Sequence, residues 1–365
     1  MLKNIIILNF SNIKLGGALQ VALSFLMELN ENEINRFKII VSQEIFDELI
    51  FLEFKFLNKL KIYNSSIFKF LKTSFLPHFR EANLIFTLFG PFYGFSKAKK
   101  ITGFAQAWIL FPDNLVSQNS SIFNKLKWRI KFNIQKSFFK KDDILIVETD
   151  VSKKLLIQNL KNENVVVVKN ALNKVFLDYM PKIKEKENII KIGVIGRNYL
   201  HKNLKILPEI YDLLRGVYNQ KISFYVTLTQ KEFSNMSISF REKIENYGTL
   251  KIYECPEFYK KMDLIFFPSL LETFSATPLE SLYMKKPFIC TDLPFNKGFL
   301  EDYAFYCNPN DVKNSAKIIS NVIELLNSND ISLINKLNLG SEYVKKNYES
   351  IDRTSAYLKI IKSFE

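Results

Sequence analysis

Short apolar runs alternate with helix-patterned segments along the whole chain, and the alternation breaks once and then restarts. Parallel strands need crossover connections, and a helix is the usual one, so this order predicts parallel sheets covered by helices on both faces. Strands are expected at Lys3–Asn9, Phe37–Ser42, Leu84–Phe89, Ile101–Phe104, Ile144–Val147 and Val165–Lys169. After the break they are expected at Lys191–Ile195, Ser223–Leu228, Leu264–Phe267, Phe288–Thr291 and Ala304–Tyr306. Helical spacing marks Gly17–Leu29, Ile45–Phe54, Ile122–Phe139 and Val151–Leu160, then Leu204–Val217, Phe258–Met262, Leu279–Tyr283 and Val312–Leu326. The break is the polar stretch Pro181–Asn188, which has no apolar period and reads as a linker. At about 150 residues per domain, 365 residues make two, so domains are expected at 1–180 and 181–345. Each would be doubly wound, the two facing each other across a cleft. Ligands of such sheets bind beyond the carboxyl ends of the strands.

Composition narrows the chemistry. Hydrophobic residues are 47% and charged residues 24%, enough apolar surface for large cores. Three cysteines without a CxxC pair, and two histidines, supply neither a disulfide framework nor a zinc site. No run of ~18 apolar residues predicts a membrane span, so the chain is expected in the cytoplasm. Its net charge is +14, from 51 Lys and Arg against 37 Asp and Glu. Residues 1–170 hold 24 basic and 14 acidic residues, so most of the excess lies in the first half. That excess points to an anionic partner. Within it, Lys125–Lys141 is both basic and aromatic. As a helix, it would either face the core with a solvated basic side or lie on an anionic membrane surface or a lipid-linked acceptor. Attachment would then be peripheral, at the inner face of the cytoplasmic membrane. No nucleic-acid module is visible, so nucleic acid is not expected as a partner.

Three loops carry candidate site residues. Gly16 and Gly17 end the loop between the first strand and the first helix. They serve either as a tight turn or as a place where backbone approaches a ligand, since free N–H groups open the helix. No GxGxxG fingerprint is present. Arg197 follows the first strand of the second half, and Lys202 is expected at the start of the next helix. The pair is either ordinary surface charge or a diphosphate site helped by the helix dipole. Glu272 and Glu280 flank the loop after the strand Leu264–Phe267. Thr277-Pro278-Leu279-Glu280 fits a capping box, with Thr277 as N-cap and Glu280 reaching back. A carboxylate there also suits a ribose diol. Glu272 has no capping role.

Taken together and in order, these motifs resemble the retaining glycosyltransferases of the GT-B fold, specifically the large family four. The resemblance is best over Lys191–Pro309, where Pro268-Ser-Leu-Leu-Glu-Thr-Phe-Ser-Ala-Thr-Pro-Leu-Glu-Ser281 and Lys286-Pro-Phe-Ile-Cys-Thr-Asp292 look like the family signature. Asn170-Ala171 is similar to the family's Asn-Gly before the interdomain linker, and Glu148-Thr-Asp-Val-Ser152 matches more loosely. The resemblance implies a nucleotide-sugar donor, no cofactor and no metal, and a saccharide or lipid-linked acceptor in surface-polysaccharide assembly. Arg197 and Lys202 would bind the diphosphate and stabilise the leaving group. Glu280 would bind the ribose and Glu272 the donor sugar's hydroxyls. Backbone of Phe274, Ser275, Ala276 and Thr277 would line the sugar and phosphate, Gly16 and Gly17 would face the donor, and Tyr253–Pro256, with Cys255, would lie beside the base. The closing segment 346–365 is expected as a helix packing back toward the first domain.

Many members place a His in the first domain against the donor sugar. The comparable stretch here, Ile101–Asp113, has none, and Gln106 or Trp108 stands in that region. Gln106 is thus either a sugar contact or a satisfied loop residue. Retention is compatible with a covalent intermediate, with Glu272 as nucleophile, or with a front-face route. The missing His also leaves room for a catalytically weak partner of another transferase. A sugar-nucleotide epimerase on the same fold is a third reading.

Overall fold

A computed structural model describes residues 4–179, 188–348 and 350–364. It resolves two compact units. The first comprises Met1–Pro112, Ser120–Ala171 and Ser350–Glu365, and the second Asp113–Asn119 and Leu172–Glu349.

The first unit is built on seven parallel strands: β1 (Ile6–Phe10), β2 (Lys38–Val41), β3 (Leu60–Ile62), β4 (Leu84–Thr87), β5 (Lys99–Gly103), β6 (Ile144–Val147) and β7 (Val165–Val167), in the order β3-β2-β1-β4-β5-β6-β7. β1 and β4 are buried along their whole length, as strands covered on both faces must be. One core packs Phe10, Phe25 and Phe86 against Tyr357 and Ile361 of the last helix, Ser350–Lys362. The Tyr357 ring lies 5.6 Å from Phe25 and 5.5 Å from Phe86. Those apolar contacts are what bring the end of the chain into the first unit.

The second unit has six parallel strands: β8 (Ile190–Val194), β9 (Ile222–Val226), β10 (Ile244–Asn246), β11 (Leu264–Phe267), β12 (Phe288–Thr291) and β13 (Phe305–Cys307), in the order β10-β9-β8-β11-β12-β13. Its core packs Ile192, Phe224 and Phe266 against Leu207, Ile210 and Leu214 of the helix Leu207–Gly216 and Ile319 and Ile323 of the helix Val312–Asn327.

The main segment of the second unit starts at Leu172 rather than the expected Pro181, and Asp113–Asn119, expected in the first domain, also groups with it. Phe176 is buried with its ring 5.7 Å from Tyr259, and the Tyr179 hydroxyl donates to Glu257 at 2.7 Å, so residues before the polar stretch already belong to this unit. Of the expected linker Pro181–Asn188, all but Asn188 lies outside the described residues. Two strands, β3 and β10, were not anticipated, nor was the helix Ile331–Asn347. Among the described residues no helix is long and apolar enough to cross a membrane.

Candidate functional site

The strand order of the second sheet reverses between β8 and β11, which pair in parallel with Leu264 opposite Ile192. Such a switch point leaves a crevice beyond the strand ends, because the two crossover connections leave in opposite directions. The loops that leave β8 and β11 carry Arg197, Lys202 and Glu272.

Gly196 bends the chain after β8 with φ 151°, a conformation side chains resist. A Cβ there would lie 3.5 Å from the Lys202 stem, an ordinary contact, so the backbone angle rather than space favours glycine. Lys202 does not open a long helix as expected. It closes a 3₁₀ turn, Leu200–Lys202, and Asn203 then takes the left-handed conformation at φ 54°. The α-helix starts only at Leu207, with Pro208 in its first turn, so its dipole is displaced from Lys202. A carboxylate partners the lysine instead. Lys202 Nζ lies 2.6 Å from Glu272 Oε1, and both side chains are largely buried. Ser269 Oγ donates to the same oxygen at 2.6 Å, and Lys202 Nζ sits 4.9 Å from the centre of the Phe267 ring. The His201 carbonyl accepts from Leu270 N at 2.7 Å and lies 3.2 Å from Ser269 Oγ, which ties the two loops together. Burial lowers the pKa of the His201 ring, against the pull of Glu272, and favours its neutral form.

Arg197 is oriented by Glu232, a residue the sequence reading passed over. Its Nε lies 3.0 and 2.9 Å from the two carboxylate oxygens. Glu232 is held in turn by a capping box at the helix Gln230–Ser234, where it accepts from Thr229 N at 3.0 Å. Asn198 N donates to it as well, at 3.2 Å. Burial opposes its charge, but the bonds from Thr229, Arg197 and Asn198 prevail and hold it below the ordinary carboxylate range. Neither terminal nitrogen of Arg197 has a protein partner among the described residues, so both are open to a ligand. The signal in the sequence was Thr229-Gln-Lys-Glu232, a capping pattern just past β9.

Glu280 is not part of a capping box. Its helix runs Ala276–Tyr283 with Ser275 as N-cap and no capping side chain. Pro278 therefore falls at the third helical position, where its missing N–H costs nothing because early amides have no intrahelical acceptor. Glu280 lies one turn in, 8% exposed, and accepts from the Tyr259 hydroxyl at 2.7 Å. Burial raises its pKa to about 7, the Tyr259 bond opposing. Tyr259 belongs to the helix Cys255–Lys261, whose first residue is Cys255. Burial, then the charges of Glu280 and Glu254, push that thiol well up, which favours its protonated form. Phe274 is buried with its ring 4.9 Å from Phe299, and Ser275 Oγ donates to Thr277 Oγ1 at 3.3 Å. Thus Arg197, Lys202, Glu272, Glu280, Cys255 and the 274–277 loop all belong to the second unit. Ser269, Glu232 and Tyr259 are added to them. Among the described residues no three His, Cys, Asp or Glu side chains gather as a metal site.

The remaining candidates belong to the first unit. Gly16 is the N-cap of the helix Gly17–Glu28 with φ 73°, and open space surrounds both glycines. Gln106 is the N-cap residue of the short helix Ala107–Leu110, without a side-chain cap bond. Trp108 is taken up by packing, its ring 4.4 Å from Trp128 and stacked 5.6 Å from Phe132. Glu148 and Asn170 join in a buried network. Asn170 Nδ2 donates to Glu148 at 2.7 Å, Arg353 Nη1 donates to Asn170 at 2.6 Å, and Arg353 Nη2 donates to Ser24 at 2.8 Å.

Comparison with known proteins agrees with this architecture. Residues 175–331 match the family model described as glycosyl transferases group 1. The O-antigen chain mannosyltransferase RfbU of Salmonella typhimurium is 26% identical over 174 residues, 46% of this chain and 46% of that protein. The match to this curated relative therefore spans about half its length. A glycosyltransferase from Rickettsia africae superimposes over 99% of this chain and 98% of its own, with TM-score 0.70 and 17% identity. Anabaena Alr3699/HepE, in complex with UDP and glucose, covers 98% of this chain and 99% of its own, with TM-score 0.66 and 14% identity. Two Rossmann-like parallel-sheet units with these structural neighbours have the GT-B fold.

Proposed function

We propose that this chain is a retaining, metal-independent glycosyltransferase that takes its sugar from a nucleoside-diphosphate sugar. The observation that carries the reading is the placement of Arg197 and Lys202 at the β8–β11 switch point, each oriented by a carboxylate. When the bond from the sugar's anomeric carbon to the diphosphate breaks, the electron pair passes to the phosphate oxygen. The open terminal nitrogens of Arg197 and the ammonium of Lys202 stabilise that charge, which is electrostatic catalysis without a metal. The proton of the acceptor hydroxyl passes to an oxygen of the leaving diphosphate as the new glycosidic bond forms. Glu272, freed from part of its hold on Lys202, accepts hydrogen bonds from donor-sugar hydroxyls. Glu280, set by Tyr259, accepts from the ribose. Gly16, Gly17 and Gln106 are assigned to the donor sugar, and Cys255 to the surroundings of the base. The match to an O-antigen mannosyltransferase supports a place in surface-polysaccharide assembly, with a saccharide or lipid-linked acceptor. The neighbour in complex with UDP supports a nucleoside diphosphate as the leaving group.

Thermal unfolding with UDP, GDP, CDP, ADP and TDP tests the reading. One of them at a hundred times its dissociation constant should add about 2.7 kcal/mol. Lys202→Ala and Glu280→Ala should abolish the shift. If no nucleotide raises the melting temperature, the donor site is refuted, and the catalytically weak partner becomes the better account.

A further inference from the structure

The helix Ile122–Phe139 is apolar on two opposite sides. One side, with Trp128, Phe132 and Phe139, packs into the first unit. On the other, Ile122 is 85% exposed, Phe123 76%, Leu126 56% and Ile130 54%, and Ile134 continues the line. At 100° per residue these five side chains fill an arc of about 120°, the width of a stripe that would ordinarily be buried. Lys125, Arg129 and Lys136 border the arc on one edge, Lys127 and Lys131 on the other, and the helix contains no acidic residue. The stripe continues onto a second element. Phe138 stacks edge-on against Phe70, 5.5 Å away, and Phe70 meets Phe95 at 4.5 Å. Leu71, Phe75 and Phe95 are exposed there, with Lys141 4.9 Å from the centre of the Phe95 ring.

We propose that this composite face docks the protein onto a lipid bilayer bearing anionic headgroups. An exposed apolar patch of this extent marks an interaction surface. Cations on both edges of an apolar arc match an interface where acyl chains lie between negative headgroups. A second copy fits poorly, because a two-fold contact would set these cations against each other. Nucleic acid fits poorly as well, because most of the exposed side chains are aliphatic and offer no ring for base stacking. The proposal does not rest on the donor site, because none of the residues assigned to that site belongs to this face.

Co-sedimentation of the full chain with vesicles tests it. Vesicles of phosphatidylcholine mixed with phosphatidylglycerol should bind at least tenfold more protein than phosphatidylcholine alone. Inorganic phosphate should not compete, which separates a bilayer from a free anion. Phe123→Ser with Ile130→Ser should abolish binding. Lys125→Gln with Arg129→Gln should reduce the preference for the anionic vesicles. Because these positions are exposed, unchanged melting temperatures should accompany both losses. Failure to sediment with either vesicle, or equal sedimentation of the parent and the Phe123/Ile130 variant, overturns the proposal. So does concentration-dependent dimerisation that the Phe123/Ile130 variant removes.

Discussion

Glu280 illustrates how one carboxyl can be assigned two different jobs. In sequence, Thr277-Pro278-Leu279-Glu280 has every residue of a capping box, and the helix starts earlier than that pattern implies. What determines its position is Tyr259, twenty-one residues away in the chain and so outside any local pattern. Glu232 was missed for the complementary reason. Its capping box is local and legible, but its hold on Arg197 exists only because β8 and β9 are neighbours. Burial gives Glu280 a testable pH signature. Folded, it keeps its proton to about pH 7, whereas the unfolded chain releases it near the ordinary value of 4.5. Folding therefore takes up a proton between those limits, and stability falls as pH rises from about 4.5 to 7 before levelling. Glu280→Gln keeps an acceptor for Tyr259 and has no proton to lose. In urea unfolding, this variant should gain on the parent as pH rises from 5 to 7, with a constant difference above. A difference that does not change with pH would show that the carboxyl is not held protonated.

At the scale of elements, the strands found by reading were the buried ones. β4 and β11 are buried at every position, as a sheet covered on both faces requires. β3 and β10 are three-residue edge strands in which exposed or polar side chains dilute the pattern, so neither carries a run to detect. The helix Ile122–Phe139 was legible as a helix, but its two readings stayed open because both faces are apolar and only packing tells which is covered. Gly103 shows a constraint that no pattern announces. It ends β5, and a Cβ there would come within 1.6 Å of the Leu88 carbonyl oxygen. A backbone carbonyl cannot rotate away as a side chain does, so β4 and β5 would have to separate. Gly103→Ala should destabilise the first unit by about 3 kcal/mol, read as a lower urea midpoint with an unchanged slope. Parental stability would show that this crossing relaxes freely.

At the scale of the molecule, the polar stretch revealed that there are two units, because apolar patterning stops and restarts. The expectation that the closing helix packs back toward the first domain came from the family resemblance, not from that stretch. That return depends on Tyr357 and Ile361 entering a core begun by β1, and on Arg353 reaching Asn170 and Ser24. A lone Arg in a helix carries no such information in sequence. Arg353 is 4% exposed and gives its two terminal nitrogens to that network, while burial raises nearby Glu148 to about pH 7 despite the arginine's charge. Arg353→Met keeps much of the apolar volume but takes one donor from Asn170 and one from Ser24, which retain their bonds to Glu148, Ala171 N and Glu28, and it removes the cation beside Glu148. The cost should be roughly 2–3 kcal/mol, confined to the first unit. Each unit has its own core, and the proposed nucleotide site lies wholly in the second. Calorimetry of the full chain should therefore resolve two transitions. Arg353→Met should lower one, and the nucleoside diphosphate that binds should raise the other. A single transition moved equally by both would mean that the two cores melt as one cooperative body, and that the C-terminal helix stabilises the nucleotide site as much as the sheet it packs on.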